Sequence, residues 1–193
     1  MNILPRGIYP PLVTPFENEV FNPKAYTANI QELNETRLAG YVVLGSNGES
    51  AYLQNDEALE VIETAAGARA TGKPLVVGTG RESTRATIEF TNQAARAGAD
   101  AALVVPPSYY RAAMTEAVLE AHYRTVADAS DIPLLLYHVP KFSPVTFSPE
   151  MVASLSSHPG IIGMKDTSQD MVFLTRCLSE CPEDFMIYVG TAN

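Results

Sequence analysis

Cationic side chains are scarce in this chain of 193 residues: 13 Lys and Arg stand against 22 Asp and Glu, for a formal net charge of −9. That balance argues against a nucleic-acid partner, because phosphate recognition needs clustered Lys and Arg. Cysteine is scarcer still. Cys177 and Cys181 lie four apart in one late segment, which supports neither a disulfide framework nor a metal site and fits a reducing cytoplasm. No apolar run approaches the roughly 18 residues of a membrane span. The first apolar run begins already at Gly7, so neither a membrane segment nor a leader peptide is expected. His122, His138 and His158 show no metal-ligand spacing, and no metal is expected.

Low-complexity tracts and charged linkers are also lacking. With 46% hydrophobic and 18% charged residues, the chain reads as one globular domain over residues 1–193. Seven short apolar runs recur: Gly7–Val13, Gly40–Gly45, Pro74–Thr79, Ala99–Pro106, Ile132–Val139, Ile161–Lys165 and Phe185–Gly190. Most are continuous rather than alternating, the pattern of parallel strands covered on both faces. Amphipathic segments with readable caps separate them. Asn22 before Pro23 opens a helix with Tyr26, Ile30 and Leu33 as its buried stripe, and Ser148 before Pro149 opens another. Gly98 stops a third, where a left-handed residue is wanted.

Strand and helix alternate at the spacing of a βαβ unit. The fold is therefore α/β with a parallel sheet, either a closed barrel or a doubly wound open sheet. A dinucleotide-binding open sheet should carry G-x-G-x-x-G after its first strand. Here that strand runs into Thr14-Pro15-Phe16, and Gly78-Thr79-Gly80 lacks the third glycine and reads as a tight strand exit.

In parallel α/β folds the working residues gather at the carboxyl ends of strands. Those ends carry Gly45-Ser46-Asn47-Gly48-Glu49, Ser108-Tyr109-Tyr110-Arg111, Tyr137-His138-Val139-Pro140 and Gly163-Met164-Lys165-Asp166-Thr167-Ser168. Of the four lysines, Lys24, Lys73, Lys141 and Lys165, only Lys165 ends an apolar strand. Partial desolvation there favours the neutral amine, the form that attacks a ketone to give an imine. The other reading pairs Lys165 with Asp166 or Glu49. Tyr137 ends a buried run and is either a proton relay for a carbinolamine or a core aromatic with a bonded hydroxyl. The Gly45–Gly48 turn can present backbone N–H groups to an anion such as a carboxylate. His122, at helical spacing among Val118, Leu119, Tyr123 and Val126, reads as packed; His158, before Pro159, is expected to face solvent. His138 should point away from Tyr137, since neighbours on a strand alternate faces.

In these motifs the chain resembles the dihydrodipicolinate synthase and N-acetylneuraminate lyase superfamily of pyruvate-dependent class I aldolases, from Gly7 to Thr191. The resemblance rests on Gly7-Ile8-Tyr9-Pro10-Pro11 through Phe16, Gly45–Glu49, Tyr109-Tyr110, Tyr137-x-Val139-Pro140 and Gly163–Asp166, in the family's order. It implies a (β/α)8 TIM barrel in which Lys165 forms an imine with pyruvate or another 2-oxo acid. Tyr137 would relay protons, and Ser46 would link it to Tyr110, which in the family reaches in from a neighbouring subunit. Ser46 and Asn47 would hold the substrate carboxylate, with Gly190 also at the substrate site. The implied enzyme is a homo-oligomer, dimer or tetramer, with no cofactor beyond the covalent imine.

Two departures stand out. The synthases usually carry Arg two residues after the Tyr-x-Val-Pro proline, where this chain has Lys141-Phe142. That weakens the synthase assignment. The pair Ser46-Asn47 and the run Ser108-Tyr109-Tyr110-Arg111 resemble 4-hydroxy-2-oxoglutarate and 2-keto-3-deoxy sugar-acid aldolases, with the synthase reaction, or a non-catalytic relative binding a 2-oxo acid or a partner subunit, as alternatives. The second departure is length: a barrel of this kind needs ~250 residues, so the chain reads as a barrel truncated after strand 7.

Overall fold

The computed structural model describes residues 4–190. Residues up to Gly78 with Asn92–Ala102 form one compact unit, and Thr79–Thr91 with the residues from Leu103 onward form another.

The first unit opens with the run expected as a strand, Gly7–Val13. It is not one. Pro11 makes a single parallel bridge to Val42. Around it Leu12 N donates to Val42 O (2.8 Å), Val42 N to Pro10 O (3.0 Å) and Ala39 N to Ile8 O (3.0 Å). Consecutive Pro10 and Pro11 have no N–H to give, so the ladder cannot extend. A short antiparallel hairpin follows, β1 (Phe16–Glu17) and β2 (Val20–Phe21). Its turn places Asn18 and Glu19 at φ 51° and 65°, the two positive values of a type I′ turn, reached here without the usual glycine.

Helix α1 (Pro23–Asn34) starts where expected: the Asn22 side chain accepts from Ala25 N at 3.0 Å, and Pro23 occupies the first turn. Tyr26 and Ile30 are buried, whereas Leu33 is only half-buried. Its last turn is closed by Lys73, whose Nζ donates to the carbonyls of Leu33 (3.2 Å), Asn34 (2.7 Å) and Thr36 (2.9 Å). Strand β3 (Tyr41–Val43), helix α2 (Asn55–Ala68) and strand β4 (Leu75–Gly78) complete the unit's βαβ, with β3 and β4 parallel and Tyr41 opposite Leu75.

Helix α3 (Thr84–Arg96) and strand β5 (Ala101–Val104) are divided between the units. Gly98, at φ 108°, ends α3 as expected. In the second unit follow α4 (Glu116–Asp128), β6 (Leu134–His138), α5 (Pro149–Ser156), β7 (Ile161–Asp166), α6 (Met171–Glu180) and β8 (Met186–Val189). Side chains at their N-termini cap the helices: Thr115 for α4, Ser148 for α5, and Asp170 for α6 by accepting from both Val172 N and Phe173 N. Strands β6, β7 and β8 are parallel neighbours in chain order.

Thus six of the seven expected runs are strands, in an α/β arrangement. His158 departs from expectation: its Nε2 lies 3.0 Å from Asp128 Oδ1, and its Nδ1 accepts from Gly160 N, so it is bonded and mostly covered. Gly78 and Gly80 are structural, as the sequence suggested. A Cβ on Gly78 would sit 2.1 Å from the Leu44 carbonyl oxygen, and one on Gly80 would meet Val105 at 2.8 Å. No helix among the described residues is long and apolar enough to cross a membrane.

Candidate functional site

Strand β7 carries the central residues because its sequence switches from apolar to polar at its carboxyl end. Ile161, Gly163 and Met164 are buried, Lys165 is half-buried and Asp166 is buried. Consecutive residues face opposite ways, so Lys165 and Asp166 cannot share one environment. The parallel register sets Tyr137 of β6 beside Lys165 and His138 beside Asp166. Two cross-strand pairs thereby occupy the two faces of the same strand couple.

On one face the Lys165 ammonium nitrogen stands 4.9 Å from the centre of the Tyr137 ring. Burial pulls the Lys165 pKa below the ordinary lysine value, since a charge removed from water is disfavoured. No ion pair involves Lys165 among the described residues, and Asp166, the partner offered by its own strand, is bonded to His138 instead. On β8, Tyr188 is in register with Lys165. The strand then leads to Gly190, whose N donates to Asp166 O at 2.7 Å. A Cβ on Gly190 would lie 2.9 Å from Lys165 Cε, so the residue there leaves room beside the amine.

On the other face, His138 Nδ1 lies 2.7 Å from Asp166 Oδ1. Asp166 also accepts from Ser168 N (3.2 Å) and Ser168 Oγ (2.9 Å). Burial pushes the Asp166 carboxyl up, and the hydrogen bonds from His138 and Ser168 outweigh it, leaving its pKa lowered. Sequence reading placed His138 away from Tyr137 but missed this partnership. The alternation of faces was readable, but the contact also needs the register of β6 on β7, which these apolar runs specify weakly.

Ser46 and Asn47 belong to the first unit. There Ser46–Gly48 forms one 3-10 turn after Gly45, with Gly48 N donating to Gly45 O (2.9 Å) and Glu49 N to Ser46 O (3.2 Å). Leu44, just before it, is buried at φ 56°, a conformation a branched side chain adopts only when its surroundings hold it. The Thr14 hydroxyl donates to Gly48 O at 2.7 Å and pins the turn. Sequence reading had given Thr14 no such role. Tyr110 is exposed in the second unit and packs edge-to-face on Tyr109 at 5.0 Å. The structure thus brings Lys165, Tyr137 and Gly190 together at adjoining strand ends, and sets Tyr110 on the surface. Among the described residues no group of three or more His, Cys, Asp or Glu is arranged to hold a metal ion.

Comparison with known proteins gives a consistent picture. The sequence profile of the dihydrodipicolinate synthetase family matches residues 4–193. The chain is 39% identical over 97% of its length to a probable mitochondrial 4-hydroxy-2-oxoglutarate aldolase of Emericella nidulans, covering 62% of that protein. It is 42% identical over 90% of its length to an L-threo-3-deoxy-hexylosonate aldolase of Hypocrea jecorina, covering 57% of it. A 4-hydroxy-tetrahydrodipicolinate synthase of an Exiguobacterium species is 38% identical over 95% of the chain and 62% of its own length. Among solved structures, a dihydrodipicolinate synthase from Bacillus anthracis superposes with a TM-score of 0.91 at 28% identity, over 97% of this chain and 64% of that one. The chain therefore spans about three fifths of the length of the relatives it matches.

Proposed function

The chain belongs to the dihydrodipicolinate synthetase family, and from that premise we propose that it serves as a Schiff-base aldolase that cleaves a 4-hydroxy-2-oxo acid to pyruvate and an aldehyde. The observation that carries the reading is the half-buried Lys165 amine, depressed in pKa and set 4.9 Å over the Tyr137 ring. The neutral amine adds to the 2-oxo carbon, and loss of water gives the imine. The protonated imine then draws electrons from the adjacent bond, so the C3–C4 bond breaks as the 4-hydroxyl loses its proton and becomes the aldehyde. The enamine left behind takes a proton at C3, and water hydrolyses the imine to free pyruvate and Lys165. Tyr137 is the group we assign to proton transfer to the carbinolamine and from that hydroxyl.

Ser46 and Asn47 are proposed to hold the substrate carboxylate, on a turn that Thr14 keeps in place. Gly190 contributes by its lack of a side chain next to Lys165. Tyr110, exposed, is assigned to a shared site in a homo-oligomer, with Ser46 proposed to link Tyr137 to it. No organic cofactor and no metal is required by this sequence of steps.

Aldol cleavage is favoured over synthase chemistry by Phe142, which is exposed and faces Lys141 Nζ at 5.3 Å; an arginine there would bind a second carboxylate. Two relatives named as aldolases support the same choice, while those named as synthases keep the condensation reaction as the alternative. Assaying pyruvate release from a 4-hydroxy-2-oxo acid beside condensation of pyruvate with aspartate semialdehyde decides between them. Cleavage without condensation is expected, and robust condensation would overturn the aldolase reading.

A further inference from the structure

The register that sets Tyr137 against Lys165 is not the one the start of the ladder dictates. Strands β6 and β7 begin with Leu134 opposite Ile161, yet the next pair is Leu135 with Gly163, so Ile162 is an extra residue on β7. A regular ladder continued from Leu134 would set Tyr137 against Met164 and His138 against Lys165. The apolar sequences offer little to choose between the two. Leu134-Leu135-Leu136 and Ile161-Ile162-Gly163-Met164 are uniformly hydrophobic, and uniform strands specify register weakly.

One contact does discriminate. His138 and Asp166 are 4% and 2% exposed and meet at 2.7 Å across the two strands. The imidazole lies between Phe147, nearly parallel at 5.2 Å, and Phe173 at 4.9 Å. Among the described residues its Nε2 is buried without a hydrogen-bond partner, and Asp166 is the polar group there that fixes the ring. In the slipped register Asp166 loses this donor, and the His138 Nδ1 is left unpaired in an apolar slot, which is costly. Around the pair, Thr167 N and Oγ donate to His138 O at 3.0 and 3.2 Å, and Gly190 N donates to Asp166 O. All of these ties sit at the carboxyl ends of the strands, one residue from Tyr137 and Lys165.

We infer that the His138–Asp166 pair is a positioning device, selecting the bulged register of β6 on β7 that brings Tyr137 to the Lys165 amine. A buried polar pair is a weak source of net stability, and selecting register is its best-attested use. The role rests on the reading of Lys165 as the imine-forming residue. His138 and Asp166 touch no substrate in this account; they act through their neighbours.

The test measures the rate of pyruvate trapping by borohydride at saturating pyruvate, with thermal unfolding as the control for folding. In His138→Leu/Asp166→Val both polar partners go together, leaving no orphaned charge. A folded protein that traps at least about 100-fold more slowly is expected, the scale set by misplacing reacting groups by about an ångström. His138→Asn keeps an N–H donor for Asp166 without an imidazole, and trapping within about tenfold of wild type is expected, short of the ~10²–10⁴-fold that losing an acid–base group costs.

Wild-type trapping matched by a folded His138→Leu/Asp166→Val chain would overturn the positioning role while leaving Lys165 in place. A folded His138→Asn chain that no longer traps would overturn it too, by showing that the imidazole itself is needed. Should the double variant fail to fold, His138→Asn alone decides by the same criterion. No adduct on wild type sinks the Lys165 reading, and the positioning role with it.

Discussion

Replacing His122 by Gln should abolish a specific acid sensitivity of the fold. His122 is buried on α4 beside the Tyr123 ring, with Nδ1 2.9 Å from the Thr84 hydroxyl and Nε2 without a hydrogen-bond partner among the described residues. Burial pushes its pKa down to about 4, against about 6.5 for a solvated imidazole. Between those values the unfolded chain binds a proton that the folded chain does not, so stability rises with pH through this window and levels off above it. At pH 5 most unfolded molecules carry the proton and most folded ones lack it. The linkage relation then gives a loss of roughly 2 kcal/mol between pH 7 and pH 5 from this one residue. Glutamine at 122 can still bond Thr84 but cannot titrate. Urea unfolding of both proteins at the two pH values measures the effect. The wild type should lose about 2 kcal/mol more than the variant, and equal losses would refute the reasoning.

Gly78→Ala should destabilise the chain by at least about 1–3 kcal/mol, because its Cβ would sit 2.1 Å from the Leu44 carbonyl oxygen; an unchanged urea midpoint would contradict the close approach. Tyr137→Phe should lower turnover by roughly 10²–10⁴-fold with an unaltered thermal unfolding curve, and a near-normal rate would mean the phenol is structural. The trapping rate should climb with pH and reach its plateau below the ordinary lysine range, since burial lowers the Lys165 pKa and only the neutral amine reacts. A plateau in the ordinary range would contradict that depression.

Much of the fold was legible because parallel strands and capped helices write themselves locally. Asn22-Pro23 and Ser148-Pro149 mark helix starts that the structure contains at those residues. The apolar runs at Gly40, Pro74, Ala99, Ile132, Ile161 and Phe185 all contain strands. The run Gly7–Val13 misled because hydrophobicity says nothing about donors, and Pro10 and Pro11 have none. The Phe16–Phe21 hairpin was hidden because Asn18-Glu19 forms its turn without glycine. At the site, strand ends identified Lys165 and Tyr137 as rim residues, since position along a strand is readable. Which face each neighbour takes was readable too. The His138–Asp166 contact was not, because it depends on a bulge at Ile162 that sets the register, and no local signal announces a bulge in an apolar strand.

The proposed chemistry turns on one amine. Incubating the chain with pyruvate, reducing with borohydride and mapping the peptides tests it most directly. A single reduced pyruvyl group on Lys165, lost in Lys165→Met, is the predicted result. An adduct on Lys24, Lys73 or Lys141 instead, or none on folded protein, would contradict it.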